Sequence, residues 1–151
     1  ILRTSWVYGA YGNNFLKTML RLSRERDELR IVADQYGCPT ATIDIARALL
    51  AAEAAAGSGP WKWGTYHFAG TGVTTWHGFA REIISAAARV GGRSVPVIPI
   101  ETQDYPTAAK RPANSELDST HFAATFGYRS PPWQERTREA VEALLVAAEA
   151  R

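Results

Sequence analysis

Apolar residues recur at intervals of three and four along much of the chain, which is the spacing that lines one face of an α-helix. We predict a first helix that is capped by Asn13 or Asn14 and runs to about Asp27, because a short side-chain oxygen can accept a hydrogen bond from a free backbone N–H. Four more helices are predicted over 42–56, over 76–90, from an Asp118 cap to Gly127, and over 133–149.

Short segments rich in β-branched and apolar residues separate these helices and are typical of strands. We predict strands or extended segments at residues 1–4, 29–32, 65–69 and 95–100. Two stretches of glycine, proline and polar residues, 34–40 and 101–114, are predicted to be loops. The alternation of strands and helices predicts an α/β fold, and a chain of 151 residues is long enough for a single domain over 1–151.

Charge, the length of apolar runs and cysteine content argue against nucleic-acid binding and membrane association and favour a cytoplasmic location. The net charge is +2 and comes from interspersed acidic and basic residues, which argues against binding to nucleic acid. No apolar run approaches the length of a membrane span, so no membrane association is predicted. Cys38 is the single cysteine and cannot form an internal disulfide, which favours a location in the reducing cytoplasm.

Familiar catalytic and cofactor motifs are absent from the sequence. The turn Gly70-Thr71-Gly72 lacks the third glycine and the later acidic residue of a dinucleotide site, so we interpret it as an ordinary strand-to-helix turn. The three histidines are scattered and are predicted to be structural rather than metal ligands. The chain contains neither Gly-x-Ser-x-Gly nor Tyr-x-x-x-Lys. We therefore assign no catalytic, cofactor-binding or metal-binding residue.

The remaining candidates are aromatic, amide and basic residues in loops. Trp6 follows a predicted strand, where α/β folds place their ligands, and its indole either stacks on a sugar or base or covers the core. Asn13 and Asn14 can hydrogen-bond a ligand, although helix capping accounts for one of them. Arg111 lies in the segment Lys110-Arg111-Pro112-Ala113-Asn114 and can bind a diphosphate or form a surface ion pair.

Five motifs in the same order resemble the C-terminal half of the dTDP-4-dehydrorhamnose reductase family. They are Arg3-Thr4-Ser5-Trp6-Val7-Tyr8-Gly9, Gly12-Asn13-Asn14-Phe15, Asp34-Gln35-x-Gly37-x-Pro39-Thr40, Tyr66-His67-Phe68-Ala69-Gly70 and Arg111-Pro112-Ala113-Asn114-Ser115. The resemblance implies the C-terminal portion of an extended short-chain dehydrogenase/reductase, a Rossmann-like fold. The family's N-terminal unit, which binds NADPH and carries the catalytic Thr and Tyr-x-x-x-Lys, is expected to be missing here.

The resemblance also implies the roles of particular residues. Trp6 matches the family's substrate-contacting tryptophan, and Asn13, Asn14 and Arg111 match segments that line the nucleotide-sugar cleft. The whole enzyme would reduce a dTDP-4-dehydro sugar with NADPH or NADH, whereas this chain alone is expected to bind no cofactor and to be inactive. A sheet edge without its neighbours would favour self-association. Three alternatives stay open: a non-catalytic regulatory subunit of the same family, a reductase or epimerase for another nucleotide sugar, and a stable stand-alone binding domain.

Overall fold

The computed structural model describes residues 1–57, 59–60, 62–107, 109 and 111–149. Within these ranges the α-helices are α1 Phe15–Glu25, α2 Thr42–Ala56, α3 Trp76–Arg89, α4 Thr120–Phe126 and α5 Trp133–Glu149, and a 3-10 helix at Thr102–Asp104 lies within the predicted loop 101–114. The strands are β1 Leu2–Arg3, β2 Val7–Tyr8, β3 Leu29–Val32, β4 Tyr36–Gly37, β5 Thr40–Ala41, β6 Tyr66–His67, β7 Thr74–Thr75 and β8 Val97–Ile100. The predicted α/β class is therefore confirmed.

The strands form four two-stranded ladders, of which three are parallel. β1 pairs with β6, β2 with β5, and β3 with β8, whereas β4 and β7 are antiparallel. Parallel partners need a crossover connection, and helices supply it: α1 lies between β2 and β5, and α2 and α3 lie between β3 and β8. The longest ladder runs from Leu29 opposite Val97 to Val32 opposite Ile100.

Three helices enclose the main core. α3 lies between α1 and α5, and its apolar face is buried because alanine and isoleucine recur at helical spacing. The fully buried members of this core include Leu16, Phe79, Ile83 and Val141. A smaller cluster lies between α2, α4 and β6 and consists of Ala48, Tyr66, Phe68 and Phe122.

A buried carboxylate ties α2 to α5. Asp44 is fully buried and accepts hydrogen bonds from Tyr128 Oη at 2.8 Å, Ser130 Oγ at 3.1 Å and Arg136 Nε at 3.0 Å. A buried charge is tolerated only when it is paired and hydrogen-bonded, and here three donors satisfy that condition. The first turn of α2 is thereby fixed against the first turn of α5.

Local signals in the sequence place the helices well. Asn14 caps α1 and Thr75 caps α3, each by accepting a backbone N–H, and Gly127 ends α4 in the left-handed conformation. The predicted cap at Asn14 and the predicted helix end at Gly127 are confirmed. The prediction for Asp118 was one residue off, because Ser119 is the N-cap of α4, although Asp118 Oδ1 accepts the backbone N–H of Thr120 at 2.8 Å.

The predicted loop over 34–40 was wrong in part, since it contains β4 and the first residue of β5. Likewise β2 was not predicted, because it lies in the segment that leads to Gly9. Each of these strands has only two residues and exists through its partner: β4 pairs with β7, and β5 pairs with β2. A two-residue strand has too short a pattern to be visible in the sequence.

Candidate functional site

Trp6 occupies an unusual backbone conformation at the corner between β1 and β2. Its φ angle is 49°, and it is the single non-glycine residue with positive φ in the described part of the chain. For a bulky residue this left-handed conformation is an outlier that costs roughly 1–3 kcal/mol. Such a cost persists only where surrounding contacts outweigh it.

A second indole covers one face of the Trp6 ring. The centroids of Trp6 and Trp76 lie 3.6 Å apart with an angle of 9° between the ring planes. Phe15 contacts Trp76 in turn, with 4.7 Å between centroids. Trp6 also packs against the main core. The interpretation that this indole covers the core is confirmed. Contact with a ligand stays a prediction, and it concerns the part of the indole that Trp76 does not cover.

The backbone of β4 approaches the nitrogen side of the same ring. A Cβ atom at Gly37 would lie 2.5 Å from Cε2 and 2.7 Å from Nε1 of Trp6. No side chain fits this space, so glycine is required for the close approach of the two segments. Trp6 is thus held between an aromatic neighbour and a strand without a side chain.

One hydroxyl connects Trp6 to a distant loop. Trp6 Nε1 donates to Ser115 Oγ at 2.9 Å, and Ser115 Oγ donates to the carbonyl of Tyr36 at 3.0 Å. The backbone N–H of Ser115 donates to the same carbonyl at 2.9 Å, and the N–H of Tyr36 donates to the carbonyl of Ala113 at 2.8 Å. The indole, β4 and residues 113–115 therefore form one hydrogen-bonded unit.

The other end of this loop is anchored at the carboxyl end of β3. Asp34 accepts the backbone N–H of Thr102 at 3.0 Å and its hydroxyl at 2.7 Å, and these hydrogen bonds lower the pKa of Asp34. Gln35 Nε2 donates to the same hydroxyl at 3.0 Å. In the sequence, Arg111 lies between the two anchors.

Arg111 is exposed, and its side chain makes no hydrogen bond or ion pair with any residue in the described ranges. The surface ion pair that was one reading of this residue is thus not found there. Lys110, from the same motif, lies outside the described residues. Binding of a diphosphate by Arg111 stays a prediction, and its guanidinium is available for it.

The two asparagines differ. Asn14 Oδ1 accepts the N–H of Lys17 at 3.2 Å, and Asn14 Nδ2 donates to the carbonyl of Gly9 at 2.8 Å. Both ends of its amide are thus engaged in capping α1 and closing the preceding turn. Asn13 is exposed, and its side chain has no hydrogen bond within the described ranges. A ligand contact stays a prediction for both residues, and Asn13 has the freer amide.

The turn after β6 is closely packed and does not fit a pyrophosphate. A Cβ atom at Gly70 would lie 2.0 Å from the carbonyl oxygen of Pro39, and Gly72, with a φ of 100°, faces the indole of Trp133. These glycines permit contact between protein segments, whereas a dinucleotide site needs them to leave the backbone N–H groups open to phosphate. The family's cofactor is therefore not accommodated at this turn.

The histidines have structural contacts where the structure shows them. His77 Nε2 lies 3.1 Å from the carbonyl oxygen of Val97, and the ring of His121 stacks on Tyr66 with 5.0 Å between centroids. Among the residues that the structure describes, no group of three His, Cys, Asp or Glu side chains is placed to hold a metal ion. No helix within these ranges is long and apolar enough to cross a lipid bilayer.

Three residues of the site, Trp76, Gly37 and Ser115, were given no role in it by the sequence analysis. Trp76 was recognised only as the start of a helix, and Gly37 only as a loop residue. The available signal for Trp76 was its residue type, because it is a second tryptophan and stands at the first position of a predicted helix. No local pattern indicates that Gly37 contacts Trp6, because 31 positions of chain separate them and the contact is tertiary.

A match to a known family model identifies the family of this chain. The model for the RmlD substrate binding domain matches residues 1–146. The chain belongs to the RmlD substrate-binding domain family. A relative from Sinorhizobium fredii named dTDP-4-dehydrorhamnose reductase is 46% identical over 97% of this chain and 50% of its own length. Another of the same name, from Aggregatibacter actinomycetemcomitans, is 50% identical over 89% of this chain and 47% of its own length.

Solved structures agree with this assignment. A dTDP-4-dehydrorhamnose reductase from Clostridium acetobutylicum superposes with a TM-score of 0.84 at 35% identity, over 95% of this chain and 48% of that one. A reductase from Bacillus anthracis, solved in complex with NADP, gives 0.81 at 35% identity, over 94% and 47%. The chain spans about half the length of these relatives. The predicted resemblance and the extended short-chain dehydrogenase/reductase fold are confirmed.

Proposed function

We propose that this chain is the substrate-binding half of a dTDP-4-dehydrorhamnose reductase. The observation that carries the proposal is Trp6, which has a strained backbone conformation in the short connection between β1 and β2. Ligands of α/β folds bind beyond the carboxyl ends of parallel strands, and β1 is parallel to β6. Strained backbone conformations are concentrated at functional sites. They persist only where contacts elsewhere in the fold compensate for their energetic cost. The function of the Trp6 conformation is to present the uncovered part of an indole to the deoxysugar.

Arg111 supplies the second contact, to the diphosphate. A guanidinium presents several N–H donors in one plane and matches paired phosphate oxygens. Arg111 is exposed and lies in the loop whose end, Ser115, is hydrogen-bonded to Trp6. The sugar would thus be contacted by Trp6, and the diphosphate by Arg111 in the loop that Ser115 connects to Trp6.

The chemical step belongs to the whole enzyme. In the proposed reaction NADPH supplies a hydride that reduces the 4-keto group of the dTDP-linked sugar. The turn at Gly70 does not fit that cofactor, and the sequence lacks the Tyr-x-x-x-Lys pair that would deliver a proton. This chain would contribute binding and orientation of the substrate, a proximity effect. On its own it would neither bind NADPH nor reduce the sugar.

A calorimetric titration with dTDP tests the proposal. We expect saturable binding to the pure chain, and binding that is weaker by about tenfold or more in Arg111→Ala, since a hydrogen bond to a charged group contributes roughly 1.5–3 kcal/mol. Arg89→Ala is the matched control, because Arg89 is exposed in the last turn of α3, roughly 20 Å along the helix from Trp76. Equal affinities for all three proteins would refute the role of Arg111.

The base of the nucleotide separates the remaining alternatives. Tighter binding of UDP or GDP than of dTDP would indicate a reductase or epimerase for another nucleotide sugar. A folded chain that binds none of the three diphosphates would support the non-catalytic regulatory subunit. Reduction of the dTDP sugar by the pure chain with NADPH would contradict the proposal that this chain binds the substrate but does not catalyse its reduction.

A further inference from the structure

We infer that Ser115 is a positioning residue that fixes the loop carrying Arg111 to the indole of Trp6. The inference rests on the proposed function, because Trp6 and Arg111 are the proposed substrate contacts. Its physical basis is a single hydroxyl with two partners. Ser115 Oγ accepts from Trp6 Nε1 at 2.9 Å and donates to the carbonyl of Tyr36 at 3.0 Å. Both its donor and one acceptor site are therefore in use.

The hydroxyl joins three segments that are far apart in the sequence. Ser115 is 109 positions from Trp6 and 79 positions from Tyr36. The backbone of the loop follows β4 in a short parallel bridge between Tyr36 and Asn114. Without the hydroxyl, that bridge would hold the loop to β4, but no hydrogen bond would connect the loop to the indole.

The position of Arg111 depends on this connection. Arg111 to Asn114 are all exposed, and the Arg111 side chain has no hydrogen bond within the described ranges to hold it. The loop is fixed at Thr102 on one side and at residues 113–115 on the other. Because Arg111 lies four residues before Ser115, the second anchor sets the distance between guanidinium and indole. Sugar and diphosphate of a substrate have a fixed separation, so a fixed distance favours binding.

Amide exchange of the free chain tests the connection without any ligand. Ser115→Ala removes the hydroxyl, and Trp6→Phe removes the indole N–H but keeps an aromatic ring for Trp76. In Trp6→Phe we expect the Ser115 amide, which bonds to Tyr36, to exchange about fivefold faster, as loss of one net hydrogen bond implies. In Ser115→Ala the increase should be at least as large, because both hydrogen bonds of the hydroxyl are lost. The double variant should exchange no faster than Ser115→Ala, because both changes remove the same bond.

Two results would overturn the inference. One is an unchanged exchange rate of the Ser115 amide in Trp6→Phe, when the melting temperature and helix content show a folded chain. The other is multiplication of the two single effects in the double variant. Ser85→Ala is the matched control, because Ser85 is an exposed serine on α3, and it should leave the exchange rate unchanged. Ser115→Thr retains the hydroxyl and should restore slow exchange.

Affinity for dTDP shows whether the connection acts through Arg111. Ser115→Ala should weaken binding severalfold in the parent chain but have no further effect in the Arg111→Ala background, since there is then no guanidinium to position. An equal loss in both backgrounds would mean that Ser115 acts in another way. If the parent chain binds no dTDP, the proposed function fails for the isolated chain, while the exchange experiment still decides whether Ser115 connects loop and indole.

Discussion

Replacing Gly37 by alanine should disturb the packing around Trp6. The new Cβ would lie 2.5 Å from Cε2, 2.7 Å from Nε1 and 2.8 Å from Cζ2 of Trp6. Carbon atoms in contact lie roughly 3.5 Å apart, so the ring or the strand must shift by about 1 Å.

Neither side can move freely. Trp76 stacks on one face of Trp6 with 3.6 Å between centroids, and Gly37 is fixed to Thr74 in the antiparallel ladder of β4 and β7. Overpacking of this kind costs roughly 1–3 kcal/mol of unfolding free energy. For a chain of this size the melting temperature should fall by roughly 2–12 °C.

Urea denaturation followed by circular dichroism measures this cost, with Gly59→Ala as the control. Gly59 has no atom within 4 Å of an added Cβ. In a Trp6→Ala background the penalty of Gly37→Ala should disappear, because the clashing ring is gone. The reasoning is refuted if Gly37→Ala is as stable as Gly59→Ala, or if the penalty is the same with and without the indole.

Three further predictions concern the rest of the fold. Asp44→Ala should lower the unfolding free energy by roughly 3–5 kcal/mol in urea denaturation, because it leaves Arg136 without its buried partner, and a loss below about 1 kcal/mol would contradict this. Cys38, which is 3% exposed and whose pKa is raised by burial, should react with a thiol reagent at pH 8 only after unfolding, and rapid reaction of the native chain would contradict its burial. The side chains of Ile43 and Leu50 on α2 are 50% and 62% exposed, so sedimentation should detect self-association that Leu50→Lys reduces, and identical sedimentation of both chains would exclude this face.

The helices could be predicted because their signals are local. Apolar residues at helical spacing place one face of α1 and of α3 in the core. Asn14 and Thr75 mark helix starts by accepting a backbone N–H three residues later, and Gly127 marks a helix end by its left-handed backbone. The two-residue strands could not be predicted, since β2 and β5 exist only through their pairing across about thirty residues of chain.

The same limit applies to the site: residues with a local signal could be predicted, and residues that act through tertiary contacts could not. Trp6 could be selected because it follows a strand, and Arg111 because a proline-containing loop presents it. Trp76, Gly37 and Ser115 act through contacts with Trp6 from distant parts of the chain, and no spacing rule connects such positions. The strained φ of Trp6 is likewise a product of the assembled fold, since no neighbouring glycine or asparagine indicates it.

The most direct test of the substrate-binding role is a nuclear magnetic resonance titration of the chain with dTDP that follows the indole N–H signals. The chain has five tryptophans, so one spectrum compares Trp6 with the others. We predict that the Trp6 signal shifts and saturates with dTDP, whereas that of Trp63, which is 83% exposed, does not. Absence of any saturable shift, or a shift of Trp63 alone, would contradict the account.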